Sequence, residues 1–211
     1  MYNLINNHIE VISNNAPLAQ HFADYLWLKE NYPNIEIAHN EEYKNKYANF
    51  WRMNQARLPQ EYKDQYFGLL QNIRDNNQQT ITEIVDILYA IPINGINKVQ
   101  FSFSTKLLHT TNNNSPIYDS LIKDFFFFAN IKDDIDYETK KNKYINQYNF
   151  LNNEYIRVLD NHLLSHSINY FRELYQLNNS ITDVKIIDSI IWSFVKYLRE
   201  GGIENGNILY H

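Results

Sequence analysis

The chain contains no cysteine in its 211 residues, which excludes disulfides, thiolate metal sites and cysteine nucleophiles and fits a reducing cytoplasm. Glycine and proline are scarce, five of each, so few positions break a helix and the expectation is long helices joined by Asn-rich turns. Long hydrophobic runs are missing too. The longest apolar cluster, Phe125-Phe126-Phe127-Phe128-Ala129, falls far short of the ~20 residues that cross a bilayer, so no membrane span is expected. Met1 to Pro17 has no basic start followed by a continuous apolar block, and no signal peptide is expected. Positive charge is not in excess. A net charge of −5 argues against a protein that coats nucleic acid non-specifically, although a few backbone-mediated phosphate contacts need little positive charge.

Apolar side chains are abundant: 44% of residues are hydrophobic, with 17 Tyr and 12 Phe. That supply is enough for a core of its own. The length suits one compact helical domain over 1–211, expected to be a monomer. Its lobes are expected from 1–79 with the C-terminal helices and from 80–135.

Apolar periodicity predicts an all-α fold. Helices are expected over Leu18–Asn31, Glu41–Met53 and Glu61–Asp75, and from Thr80, where Glu83 three residues on forms a capping box, through Tyr89. Pro92 closes that helix. The turn Ile91 to Asn97 carries Asn94 and Gly95, the residue types that best adopt positive φ, and Lys98–Thr110 reads as the next helix. After the loop Thr111 to Pro116, Asp119 is placed to cap a short helix through the Phe run. One or two helices are expected over Tyr137–Leu177, with His162 and His166 on one face. A last helix should begin near Thr182-Asp183 and stop at Gly201-Gly202.

The stretch Tyr89 to Phe125, YAIPINGINKVQFSFSTKLLHTTNNNSPIYDSLIKDF, has a helix, a short hairpin, a second helix, a loop and an Asp motif in that order. It resembles the core of the helix-hairpin-helix DNA glycosylase superfamily, and most of all small bacterial proteins with the 8-oxoguanine-glycosylase fold. Ile91 to Asn97 matches the hairpin, with Asn97 near the place of its second glycine, and Pro116-Ile117-Tyr118-Asp119 matches the motif of the catalytic aspartate. Ser104 to His109, and Lys185-Ile186-Ile187-Asp188 with Trp192, also look like that subgroup.

The resemblance implies a two-lobed helical fold and a DNA N-glycosylase that flips a modified base out of duplex DNA and excises it, in repair or in defence against phage with modified DNA. No cofactor is expected, and no metal, because the chain has no cysteine and Leu163-Leu164-Ser165 between His162 and His166 forms no His-Glu-x-x-His motif. Asp119 would be the catalytic carboxylate, since glycosidic cleavage builds positive charge on the sugar. Local sequence explains Asp119 equally well as a helix cap, and one residue can do both. A Schiff-base route needs a lysine; Lys106 and Lys98 compete for it, each also readable as a solvated helix lysine, and a monofunctional enzyme is the favoured form. Asn94, Gly95, Asn97 and Lys98 would hold a DNA phosphate through the hairpin backbone, although an ordinary interhelical turn fits the same residues. Trp51, Arg52 and Arg57 are the candidates for contacting DNA where the base leaves the stack, and Tyr118 and His109 for lining the base pocket. Most of the remaining aromatics are expected in the core. The alternative reading is a non-catalytic DNA-binding or protein-interaction module on the same fold.

Overall fold

A computed structural model describes residues 1–14, 18–76 and 79–202. Its regular elements are helical: α1 Tyr2–Asn7, α2 Ile9–Asn14, α3 Ala19–Asn31, a 3-10 turn Ile37–His39, α4 Glu41–Phe50, α5 Gln60–Asn76, α6 Ile81–Tyr89, α7 Phe101–Thr111, α8 Ser120–Phe125, α9 Tyr137–Asp160, α10 Ser165–Leu174 and α11 Asp183–Arg199. The one β feature among the described residues is an isolated bridge between Ile93 and Ile96. The chain is therefore all-α, and no described helix is long and apolar enough to cross a membrane.

The helix starts follow from side chains that accept the orphan N–H groups of a first turn. Thr80 and Glu83 form the expected capping box, with Glu83 N–H on Thr80 Oγ1 at 3.3 Å and Thr80 N–H on Glu83 Oε2 at 2.7 Å. Asn40 caps α4 by accepting from Tyr43 N–H at 2.8 Å, and Thr182 caps α11 by accepting from Lys185 N–H.

Five of the described helix stops share one device. In a Schellman motif a left-handed residue follows the helix and two reversed bonds close its last carbonyls. α4 ends this way, with Met53 N–H on Ala48 O at 2.8 Å and Arg52 N–H on Asn49 O at 3.1 Å, and Arg52 at φ 59°. Phe127, His162, Gln176 and Gly201 occupy the same position after α8, α9, α10 and α11. Only the last is glycine. Apolar Met53, Phe128, Leu163 and Leu177 come next in the four other cases, the position where this motif seeks an apolar contact. His162 thus lies between α9 and α10, so His162 and His166 do not share a helix face as the sequence suggested.

The chain divides into two compact units. One comprises 1–20, 116–130 and 147–211, the other 21–115 and 131–146. In the first, α11 is the central helix: Val184 through Ile191 are all buried, and it packs on α2, α8 and α10. Phe125 meets Phe194 edge to face at 6.1 Å. In the second unit, α5 packs on α7 and on the 3-10 turn, and α6 on α7. Its core is built of tyrosines: Tyr43, Tyr47, Tyr62 and Tyr66 are wholly buried. Tyr47 and Tyr66 bond each other at 2.9 Å, Tyr66 reaches the Phe103 carbonyl at 3.1 Å, and Tyr47 reaches Thr110 at 3.1 Å. Such phenols bring a large apolar ring while the hydroxyl still needs a partner.

Candidate active site

In the first unit, Pro116, Ile117 and Tyr118 are buried and lead into Asp119, which is half-buried at the N-cap of α8. Its Oδ1 accepts the N–H groups of Leu121 and Ile122, each at 2.9 Å. Both cap bonds end on the same oxygen and do not use Oδ2. The backbone before it is held from α9: Tyr148 donates to the Pro116 carbonyl at 3.2 Å, and Tyr118 donates to Gln147 Oε1 at 2.6 Å. The position of the carboxylate is set on both sides, by its own helix and by α9.

Two further groups belong to this neighbourhood. Tyr155, two turns beyond Tyr148 on α9, is wholly buried and its hydroxyl has no hydrogen-bond partner. Burial pushes its pKa far above the ordinary phenol value, and the carboxylates of Asp188 and Asp119 add to the rise. Asp188 lies on α11, where its Oδ2 is 3.2 Å from Lys185 Nζ in an ion pair within one helix turn. The Lys185 side chain is 2% exposed. The buried phenol of Tyr155 thus lies within electrostatic reach of both the fixed Asp119 carboxylate and Asp188 of the buried ion pair. Such a set can stabilise positive charge developing at a reacting carbon and can position a water molecule.

The other sequence candidates lie in the second unit, apart from Tyr118. Asn94 and Gly95 take φ 52° and 78°, the left-handed pair that a two-residue hairpin turn demands. Ile93 N–H donates to Ile96 O at 2.9 Å and Ile96 N–H to Ile93 O at 3.2 Å. The hairpin therefore consumes both isoleucine N–H groups internally, while Asn94, Gly95, Asn97 and Lys98 are exposed. Helix α7 begins at Phe101 rather than Lys98. The β-branched Val99 follows the bridged pair, and the Gln100 carbonyl is the one that takes the first helical bonds, from Phe103 and Ser104. Asn97 and Lys98 accordingly sit on a connecting segment and not in the first helical turn.

No family model, curated protein or solved structure matches the chain.

Lys106 on α7 donates to the Trp51 carbonyl at 3.2 Å and lies 4.7 Å over the Phe103 ring. Trp51 itself is buried, packed edge-on against Phe50 at 4.6 Å, while Arg52 and Arg57 beyond it are exposed, both at positive φ. His109 is 0% exposed, with Nδ1 at 2.7 Å from the Ser115 carbonyl and Nε2 at 2.8 Å from the Tyr25 hydroxyl. Both ring nitrogens are used to hold the loop after α7 onto α3. Tyr118 is buried and stacks on Phe128 at 6.0 Å.

Sequence reasoning did not single out Tyr155, and it placed Lys185 and Asp188 in a resemblance without giving them a role. The signal was there for the pair. A Lys and an Asp three apart in the stretch Val184 to Ile191, whose residues are all buried, are placed to pair within one helix turn.

Proposed function

We propose that this chain is a monofunctional DNA N-glycosylase of the helix-hairpin-helix kind, a cytoplasmic monomer that excises a modified base from duplex DNA in repair or in defence against phage. The observation that carries the reading is Asp119: a half-buried carboxylate fixed by two backbone N–H groups on one oxygen and within electrostatic reach of the buried Tyr155. In the reaction the C1′–N bond to the base breaks and its electron pair leaves with the base. Asp119 stabilises the cationic sugar and orients water, whose oxygen bonds to C1′ while its proton passes to the carboxylate. No lysine adduct is required, and the engagement of Lys106 with the Trp51 carbonyl supports the monofunctional form.

The direct test incubates the protein with duplexes carrying a panel of modified bases, and with modified phage DNA, and measures free base by mass spectrometry. The native chain releases one class of base and Asp119→Asn releases none. Equal release by both proteins overturns the role of Asp119.

One observation favours a second reading, a non-catalytic DNA-binding or protein-interaction module. The hairpin turns its two isoleucine N–H groups inward, and four non-helical residues separate it from α7, which weakens a phosphate cradle formed jointly with a helix N-terminus. That reading predicts DNA affinity, or a protein partner, indifferent to Asp119→Asn.

A further inference from the structure

The hairpin of the second unit brings together two groups that react with each other. Asn94 and Gly95 are exposed at its tip, at φ 52° and 78°, and a Cβ placed on Gly95 would meet nothing within 4 Å. The amide carbon of an asparagine side chain is open to attack by the next backbone nitrogen, provided that this nitrogen is unhindered and can give up its proton. Glycine, with no side chain, hinders it least.

Two other asparagines among the described residues precede a small residue, serine in both cases: Asn114-Ser115 and Asn179-Ser180. The structure separates them from Asn94. Ser115 N–H donates to the Asn112 carbonyl at 2.9 Å and Ser180 N–H to Asn178 Oδ1 at 2.9 Å, and a hydrogen bond from the neutral N–H opposes loss of its proton. Among the described residues no group accepts the Gly95 N–H, and none bonds the Asn94 side-chain amide. The turn is closed by one isolated bridge, Ile93 to Ile96. Rotation of the Asn94 amide carbon over the Gly95 nitrogen works against the two bonds of that bridge and against no strand ladder.

We propose that Asn94 is a site of spontaneous deamidation, and that its products weaken the hairpin's hold on a DNA phosphate. The Gly95 nitrogen passes its proton to hydroxide and bonds to the Asn94 side-chain carbonyl carbon, whose bond to its own nitrogen breaks and releases ammonia. Water then opens the cyclic imide at either carbonyl and leaves aspartate or isoaspartate. Both products put a negative charge at the hairpin tip, where it repels phosphate, and isoaspartate also lengthens the turn backbone by one methylene. The modification is independent of the glycosylase reading; its effect on DNA rests on that reading.

The test ages the native chain at mildly alkaline pH and maps it by mass spectrometry after trypsin. Deamidation adds about 1 Da, and residues 75–98, 107–123 and 173–185 are separate peptides that carry Asn94, Asn114 and Asn179. The 75–98 peptide should gain that mass about 10-fold faster than the other two, at a rate that rises with pH. Asn94→Gly keeps a residue pair that the turn accepts and should abolish the gain. Aged native protein should bind a duplex oligonucleotide at low salt about 10-fold more weakly than fresh protein, whereas aged Asn94→Gly should bind as it does when fresh. No mass gain at Asn94, or an equal gain at Asn114 and Asn179, would overturn the site. Undiminished DNA affinity of the aged protein would overturn the effect on the hairpin. Fresh protein that binds no DNA would overturn the glycosylase reading, while the mass map still decides the site.

Discussion

Lys185 and Asp188 form an ion pair at 3.2 Å inside α11, on a helix whose neighbouring residues are buried on every side. Two charges taken out of water attract strongly but also lose their hydration, so the pair itself adds little net stability while the loss of one member is costly. Asp188→Ala should therefore destabilise the protein by about 3–5 kcal/mol in urea titrations. Replacing both residues by apolar side chains of similar volume should restore much of that loss. If the single and double variants were equally destabilised, the two residues would not be coupled as described.

Asp119 offers a separation of structure from chemistry. Asn caps a helix about as well as Asp, whereas Ala forfeits the cap at about 0.5–2 kcal/mol. Asp119→Asn should leave Tm nearly unchanged and Asp119→Ala should lower it, because both cap bonds depend on Oδ1. Matching Tm values for the Asn and Ala variants would show that the cap bonds contribute nothing.

The non-glycine residues in left-handed backbone make a third prediction. Phe127 is 82% exposed, so its side chain has little burial to lose, and His162 is also exposed. Left-handed φ costs an L-residue roughly 1–2 kcal/mol, partly offset by the greater freedom of glycine in the unfolded chain. Phe127→Gly and His162→Gly should each stabilise by about 0.5–1 kcal/mol, and the two gains should add where the sites share no contacts. Destabilisation in thermal unfolding would mean that the side chains matter more than the backbone conformation.

Alkaline pH should unfold the protein through its tyrosines. Burial raises Tyr32 to about 12 and pushes Tyr47, Tyr62 and Tyr66 higher still. In the unfolded chain each phenol loses its proton near pH 10, while the folded state keeps it. The stability these groups contribute is therefore complete below about pH 10 and is lost as pH rises above that value toward the folded values. Phenolate absorbance and loss of helical circular dichroism should rise together above pH 10. Ionisation of all tyrosines at pH 10 with the fold intact would contradict the buried tyrosine core.

Much of the helical pattern was legible because its signals are local. The Thr80–Glu83 box, the Asn94-Gly95 turn and Thr182 at the start of α11 each act within four residues. The starts of α3, α5 and α9 also follow the apolar period closely. What escaped were features that depend on distant partners or on tolerated strain. Arg52, Phe127, His162 and Gln176 end helices where glycine would have announced the stop, because the reversed hydrogen bonds and the apolar residue that follows outweigh the cost of left-handed φ. The first turn of α7 was placed too early because Val99 continues the apolar period into Phe103, while the Ile93–Ile96 bridge delays the helix. His109 carries no mark in sequence that distinguishes a core histidine from a pocket one. The Ser115 carbonyl and Tyr25 hold it in the core, and neither is adjacent in the chain.

For Asp119 the sequence offered a cap and a catalyst at once, and the cap is present without consuming Oδ2. The measurement that bears most directly on the proposed function is release of free modified base from duplex DNA by the native chain and by Asp119→Asn at equal folded concentration. The account predicts release by the first and none by the second, with Tm and DNA affinity alike. Undiminished release by Asp119→Asn would contradict it.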